Sequence, residues 1–441
     1  MNVKSSIQNS FRTFDFSLYG TLFLISFLPT FYTTVRIHFL GNLPTDWGFN
    51  IASQLAWVSI GYEVIQEAVI LPLFYLISRT LPDKAAFSNR IRTGLIVSFI
   101  LFLGMTLFVM IFVDPILTFM GQKPEIKALT VSYIRLEAIA IQISVLFRFI
   151  TIVLIILKQN RKLLMLLVLQ TILAIICDTL LVSSISFSLK LGVNGIAIGN
   201  IIGNVVLVMF GLAFLRQENI QLLSITQNDY NWLKEWGRIG GLSGLESFVR
   251  NAAFTVMILR MVNMVQQQGT FWVANNFIWG WLLLPILALG EMIKRDTAED
   301  NNGIAKAMPA YMTITVLICS LWFILMPTWD WFIGDVMNIT DYQGVVSVVR
   351  ISLIYYVIFA VNNVIDSVFY GLGRTDLMLY QSLLVNTLYY GALYIAYRAG
   401  IFVLTLNRIA IMFGMGMAID SVITVVMYVV LSRSNRLIKA K

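Results

Sequence analysis

Two cysteines, one histidine and a charged share of only 12% in 441 residues exclude several kinds of protein. A soluble domain carries about a quarter charged residues, so this chain is too apolar to live in water. Cys177 and Cys319 lie inside apolar segments with no partner spacing, which argues against a disulfide framework or a thiolate metal centre. Both are read as small core residues. His38 stands near the end of an apolar run, where an interfacial position is favoured over a proton relay. The chain has no phosphate-cradling glycine loop, no metal-spaced Cys/His set and no nucleophile elbow. Neither enzymatic catalysis nor ATP-driven transport by the chain alone is expected.

What is abundant is hydrophobic residues, 58% of the total. Windows of about 20 apolar residues, enough to cross a bilayer as a helix, recur along the whole length. They fall at 16–41, 48–78, 93–120, 129–157, 163–188, 191–215, 238–265, 270–293, 307–335, 346–372, 377–403 and 404–431. The runs do not alternate residue by residue, so helices are expected and a membrane barrel is not. The sequence therefore predicts an all-α integral membrane protein of twelve transmembrane helices. A net charge of +8 in a soluble protein would suggest nucleic acid, but here the placement of Lys and Arg carries the information. Alternating the loops puts roughly 20 of them on the side of both termini and roughly 5 opposite, which predicts cytoplasmic termini and no nucleic-acid partner. No small-residue cleavage signature follows the first run, so it is read as part of the mature chain.

Shifted by about 215 positions, the chain partly repeats itself. Asp114 falls on Asp330, Arg135 on Arg350, Leu157 to Arg161 on Leu372 to Asp376, and Asn194-Gly195-Ile196-Ala197-Ile198 on Asn407-Arg408-Ile409-Ala410-Ile411. Each match is slight; the shared spacing carries the inference. The polar stretch from Arg216 to Arg238 is the seam, giving an N-terminal lobe at 1–220 and a C-terminal lobe at 221–441, six helices each. Pseudo-two-fold symmetry along the membrane normal follows. Pro72 and Pro285 occupy matching depths, and each removes a backbone hydrogen bond and permits a kink. The pairs Gly199 and Gly203, and Gly414 and Gly416, predict close helix contacts.

Ionisable side chains within a span are costly and need a partner, water or a function. Glu63 and Glu67 stack on one helical face with Gln66 beside them. Two carboxylates so close resist ionising together, which suits a proton carrier or cation ligand; neutralisation by Arg36 is the competing reading. Asp178, followed by Thr179, is expected to bind a proton or Na⁺. Glu246 has Arg250 one turn on, in reach of a salt bridge along the helix. Glu137, Arg148, Asp366 and Asp420 are further candidates. Asn275, Asn276 and Trp279, with Trp281, are expected to line a pocket for amphipathic cations, with interfacial anchoring the competing account of the tryptophans.

Several segments resemble the multidrug and toxic-compound extrusion (MATE) family of the MOP flippase superfamily. They are Pro124-Glu125-Ile126 with Tyr133-Ile134-Arg135, Asp178 with Leu189 to Ala197, and the glycine-rich turn Tyr370-Gly371-Leu372-Gly373-Arg374-Thr375. The resemblance spans nearly the whole chain. It implies a cation-driven antiporter with two six-helix lobes, and it carries Asp178 over as a cation-site residue. There are departures: Arg36 stands where many members have a first-helix aspartate and Asn251 where some have a glutamate, while Asp366 misses the usual tenth-helix acidic position near Phe359.

The expectation is thus an antiporter of the inner (plasma) membrane exporting amphipathic, often cationic drugs by alternating access. Ion coupling is assigned to Asp178, Glu63, Glu67 and Glu246; substrate contact to Asn275, Asn276, Trp279, Arg36, Arg148, Arg250 and Asp366. No cofactor is expected beyond the transported Na⁺ or H⁺. Partners are a small-molecule substrate and membrane lipid, with the protein a monomer. A flippase of lipid-linked precursors, using Arg36, Arg148 and Arg250, is the alternative, and a receptor or scaffold a more distant one.

Overall fold

A computed structural model describes residues 10–12, 14–42, 47–157, 159–218, 220, 229–299, 304–372 and 374–433. Among these residues there is helix and no strand. The twelve expected segments are α1 Phe16–Gly41, α2 Trp47–Ser53 with Leu55–Ser78, α3 Lys84–Met120, α4 Pro124–Ile156, α5 Asn160–Leu181 and α6 Val193–Gln217. They continue as α7 Leu233–Phe254 to Met264, α8 Gln268–Phe277 to Glu299, α9 Ile304–Leu325 to Val336, α10 Tyr342–Gly371, α11 Thr375–Leu384 to Arg398 and α12 Leu406–Arg433.

Eight of the described helices are long and apolar enough to cross a membrane, and nine if the bent α8 counts as one span. This is a multi-pass membrane protein. Apolar side chains such as Ile111 at 66% and Ile324 at 71% exposure would be untenable in water but suit hydrocarbon. The other segments are helical too, yet α2 carries Glu63, Gln66 and Glu67, while α7 and α11 change winding part way.

Local chemistry sets several boundaries. The Asp83 carboxylate accepts from the amides of Ala85 and Ala86 at 3.0 and 3.1 Å, so α3 begins well before its apolar window. Gly121 closes it at φ 80°, a conformation that glycine adopts without strain. At Pro285 the permitted kink is present: α8 turns through 53° just before it, after a π-helical turn at Ile278–Leu282. Pro72 instead sits within the continuous helix Leu55–Ser78, and α2 breaks at Gln54. Further π turns interrupt α7 at Thr255–Leu259, α9 at Phe332–Val336 and α11 at Val385–Tyr390.

Packing divides the chain into two compact units, residues 35–269 and residues 1–34 with 270–441. In the unit of 35–269, α4 lies against α3 and α6, α5 against α6, and α7 against α2. The last contact needs glycine, because a Cβ on Gly240 would sit 2.0 Å from the Ala68 carbonyl oxygen and one on Gly244 2.6 Å from the Ala68 Cβ. Trp236 fixes the same contact by donating to the Val69 carbonyl at 3.0 Å. In the other unit, α10 packs between α8 and α12 around Leu289, Met292, Ile293, Tyr311, Val364 and Val368. Gly414 fits against the Tyr355 ring and Gly416 against the Tyr390 hydroxyl. The expected contact at Gly199 is present against Cys177, whereas Gly203 has nothing within 4 Å of its Cβ position.

Candidate functional site

Within the unit of 35–269, the polar residues of α1, α4, α5 and α6 converge on one buried network. Arg36, near the end of α1, donates from Nε to Asp178 Oδ2 at 2.9 Å and from Nη2 to Oδ1 at 3.4 Å. The same Nη2 donates to Asn200 Oδ1 of α6 at 2.9 Å. Asn200 in turn donates from Nδ2 to Glu137 Oε1 of α4 at 2.8 Å. Two carboxylates, one guanidinium and one amide therefore form a chain across four helices. Asp178 is 1% and Glu137 2% exposed, so both acids have left water. A buried carboxylate is tolerable only where a positive charge and hydrogen bonds replace its hydration, and Arg36 with Asn200 does this for the pair.

The two negative charges share a single positive one. With both acids ionised, the network carries one net negative charge. It can gain a proton or a small cation without exceeding neutrality, which is the property an ion-coupling site requires. Asp178 is buried, and its immediate partner is Arg36, which the sequence had placed near Glu63 and Glu67 or at a substrate. The physical reason is reach: Arg36 is on the helix end that packs beside α5 and α6, and its guanidinium spans the gap to Asp178.

Glu63 and Glu67 gather around a different arginine. Arg250 Nη2 of α7 lies 2.7 Å from Glu67 Oε1 and 3.9 Å from Glu63 Oε1. These side chains are partly exposed, at 36% for Arg250 and 48% for Glu63, so this is a more hydrated cluster than the first. The expected neutralisation by Arg36 is replaced by Arg250, which the glycine-mediated approach of α7 brings to α2. Glu246 lies one turn earlier on α7, and its side chain is outside the described residues. Arg148, on α4, is exposed and has neither a hydrogen bond nor an ion pair among the described residues.

The expected pocket of α8 is organised mainly by packing in the unit of 1–34 with 270–441. Trp279 meets the rings of Tyr356 and Phe359 edge-on, with centroids 6.3 and 5.5 Å away. Trp281 donates from Nε1 to Thr34 Oγ1 at 2.9 Å and packs on Phe27 and Phe332. Asn276 spends its amide on the Trp272 carbonyl of its own helix at 2.8 Å, while Asn275 has no hydrogen bond among the described residues. Asp366 lies apart from this aromatic group. It accepts from Asn362 Nδ2 at 2.8 Å and from Thr424 Oγ1 of α12 at 3.3 Å.

Sequence reasoning overlooked Asn200, and it weighed Glu137 without assigning it a role. The available signal was an amide and a carboxylate embedded in long apolar runs; their alignment with Asp178 required the fold. It also missed the buried chain in which Tyr62 meets Thr106 at 2.8 Å and Thr106 donates to Gln142 at 3.1 Å.

No protein-family model matches the chain, and no curated protein matches it significantly. Solved structures do resemble it over nearly its whole length. An inward-facing conformation of a multidrug resistance MATE family transporter of the MOP superfamily has 17% identity and a TM-score of 0.75, covering 96% of this chain and 99% of its own. An outward-facing conformation of such a transporter has 18% identity and a TM-score of 0.64, covering 100% and 98%. A MOP superfamily transporter from Pyrococcus furiosus, described as having a binding pocket of reverse polarity that suggests a different function, has 18% identity, a TM-score of 0.69 and the same coverage. At these identities the likeness establishes the fold: the twelve-helix architecture of MATE transporters.

Proposed function

We propose that the chain is a cation-coupled antiporter that uses Na⁺ or H⁺ entry to export amphipathic, often cationic small molecules by alternating access. The observation that carries this reading is the Arg36, Asp178, Asn200 and Glu137 network, two buried acids held by one guanidinium inside a fold that solved transporters adopt in both inward- and outward-facing conformations. The proposed setting is the inner (plasma) membrane with both termini cytoplasmic, and the proposed moving bodies are the lobes of 1–220 and 221–441. No catalytic step is involved.

The proposed coupling follows from the charge balance. A proton or Na⁺ arriving at Asp178 weakens its attraction for Arg36, because the carboxylate no longer presents a full uncompensated charge. Arg36 belongs to the continuous helix α1, Phe16–Gly41, so a change of partner at Arg36 is passed along that helix. The Glu63, Glu67 and Arg250 cluster offers a second such exchange, with Arg250 moving between acids on α2 and Glu246 on its own helix. Substrate contact is proposed for Asn275 and for the face of α8 near Trp279, where an unengaged amide adjoins aromatic edges.

The test is dye efflux from vesicles under imposed Na⁺ or pH gradients, comparing wild type with Asp178→Asn and Glu246→Gln. Export should follow one of the two gradients and fall by about tenfold in Asp178→Asn, a coupling within the usual range for linked sites. Efflux unchanged in both variants would overturn the site assignment.

A second reading has its own observation. The exposed, partnerless guanidinium of Arg148 inside a transmembrane helix favours an anionic group, as in a flippase of lipid-linked precursors. In the same vesicles, translocation of lipid-linked sugars without dye efflux would select it, and Arg148→Gln would then reduce translocation while sparing the fold.

A further inference from the structure

The sequence shift that sets Asp114 on Asp330 also sets Arg135 on Arg350, yet the two acid and arginine pairs end differently. On α9 and α10, Arg350 Nη2 lies 3.4 Å from both carboxylate oxygens of Asp330, so the charges of that pair cancel. On α3 and α4, Lys127 takes the acid: its Nζ donates to Asp114 Oδ2 at 2.9 Å and to Thr118 Oγ1 at 2.7 Å. Arg135 is left to donate from Nε to the Met110 carbonyl of α3 at 3.2 Å, one turn before Asp114. Among the described residues Arg135 makes no other hydrogen bond, and no carboxylate pairs with it.

Both Nη groups of Arg135 therefore keep their donors, on an exposed side chain. Asp114, Lys127 and Arg135 together carry one net positive charge. The surface around them is made for hydrocarbon, because Phe108, Ile111 and Phe112 of α3 and Ile139 of α4 are exposed as well. A guanidinium on such a surface is costly unless it meets an anion or reaches the headgroup layer. Depth decides between a buried cation and an interfacial one. The 33 residues of α4 span about 50 Å against a hydrocarbon core of about 30 Å, so a centred helix projects about 10 Å beyond it at each end. Arg135, eleven residues after Pro124, lies about 16 Å from that end of α4 and hence about 6 Å below the boundary. Its Cβ tilts toward the start of α4, and a long basic side chain snorkels over such a distance. The guanidinium thereby comes level with lipid phosphates.

We propose that Arg135 anchors a binding site for the phosphodiester of an anionic phospholipid, in the leaflet on the side of the membrane where α4 begins. The free fork of Nη donors matches two oxygens of a phosphate, a charge-assisted pairing that a point charge such as lysine does not reproduce. The acyl chains then run along the exposed apolar side chains of α3 and α4. A zwitterionic headgroup fits less well, because its ammonium adds a cation to a surface that already has a positive excess. Arg350 holds no such lipid, since Asp330 already neutralises it. The site lies on the outside of the helices and needs no transport, so it stands whether or not the antiport reading holds.

The experiment titrates phosphatidylglycerol, phosphatidylcholine or inorganic phosphate onto the purified full-length protein and counts bound lipids by native mass spectrometry. A saturable phosphatidylglycerol site is expected on wild type, its affinity falling about tenfold in Arg135→Gln and staying unchanged in Arg350→Gln, whose guanidinium is already paired. Asp330→Asn frees that second arginine without touching Arg135, so it is expected to add one more bound phosphatidylglycerol. It decides the matter if Arg135→Gln fails to fold. Phosphatidylcholine should bind more weakly, and inorganic phosphate at matched ionic strength should not displace the lipid. Undiminished binding in Arg135→Gln, an equal loss in Arg350→Gln, equal binding of phosphatidylcholine, displacement by inorganic phosphate or no gain in Asp330→Asn would each overturn the proposal.

Discussion

At the scale of single residues, the sequence marked Asp178 as out of place, and the structure explains how the position is tolerated. An isolated carboxylate at 1% exposure would be prohibitively costly, so a partner had to exist. That the partner is Arg36 was not legible, because the two are 142 positions apart and no periodicity links α1 to α5. The two acids of α2 show the same limit: their adjacency was readable from a four-residue spacing, whereas the arginine that serves them comes from α7. Removing Arg36 leaves a buried acid uncompensated, so Arg36→Met is expected to destabilise the protein by about 3 kcal/mol. Arg36→Met combined with Asp178→Leu should recover most of that loss, since an apolar pair replaces a buried ionic one at little cost. Unfolding of the single and double variants in the same detergent measures it, and additive losses would show that the pair does not act as one unit. Arg148→Gln, by contrast, should change stability by no more than about 0.5 kcal/mol, because no group among the described residues pairs with that guanidinium.

At the scale of helices, apolar windows gave the spans to within a turn or so at most ends, and the misses have local causes. The cap at Asp83 starts α3 early, and α2 breaks at Gln54 while Pro72 lies inside the helix Leu55–Ser78. The four π turns, all in the second half of the chain among the described residues, had no sequence signature, since Thr255 to Leu259 and Val385 to Tyr390 read as ordinary apolar helix. Glycines were legible as packing sites only in part. Gly240→Ala is expected to cost about 1–3 kcal/mol through overpacking against Ala68. Gly203→Ala, with open space at its Cβ, should instead stabilise its helix by about 0.5–1 kcal/mol. Thermal unfolding of the two variants distinguishes them, and equal shifts would contradict the account of the α2 and α7 contact.

At the scale of the whole molecule, composition and the internal repeat were enough for an all-helical membrane protein with a duplicated plan. The repeat also hid a divergence in the polar partners of its matched residues. Asp330 keeps the repeated arginine as its neighbour, 3.4 Å from Arg350, while Asp114 pairs with Lys127 at 2.9 Å. Arg135 turns to the Met110 carbonyl instead. The two stretches have thus kept their helices while exchanging polar partners, which motif spacing alone does not reveal. The basic loops predict orientation as well: a C-terminal tag should be cleaved by protease only when the cytoplasmic face is accessible. Cleavage in sealed cells from outside would reverse the assigned topology.

The central claim is that Asp178, held by Arg36, couples an ion gradient to export. It is tested most directly by reconstituting wild type and Asp178→Asn in proteoliposomes at matched protein density and recording substrate movement when a Na⁺ or proton gradient is imposed. The account predicts gradient-driven movement in wild type and its loss, by about tenfold, in a variant that remains folded and still binds substrate. Gradient-driven movement at the wild-type rate in Asp178→Asn would contradict it.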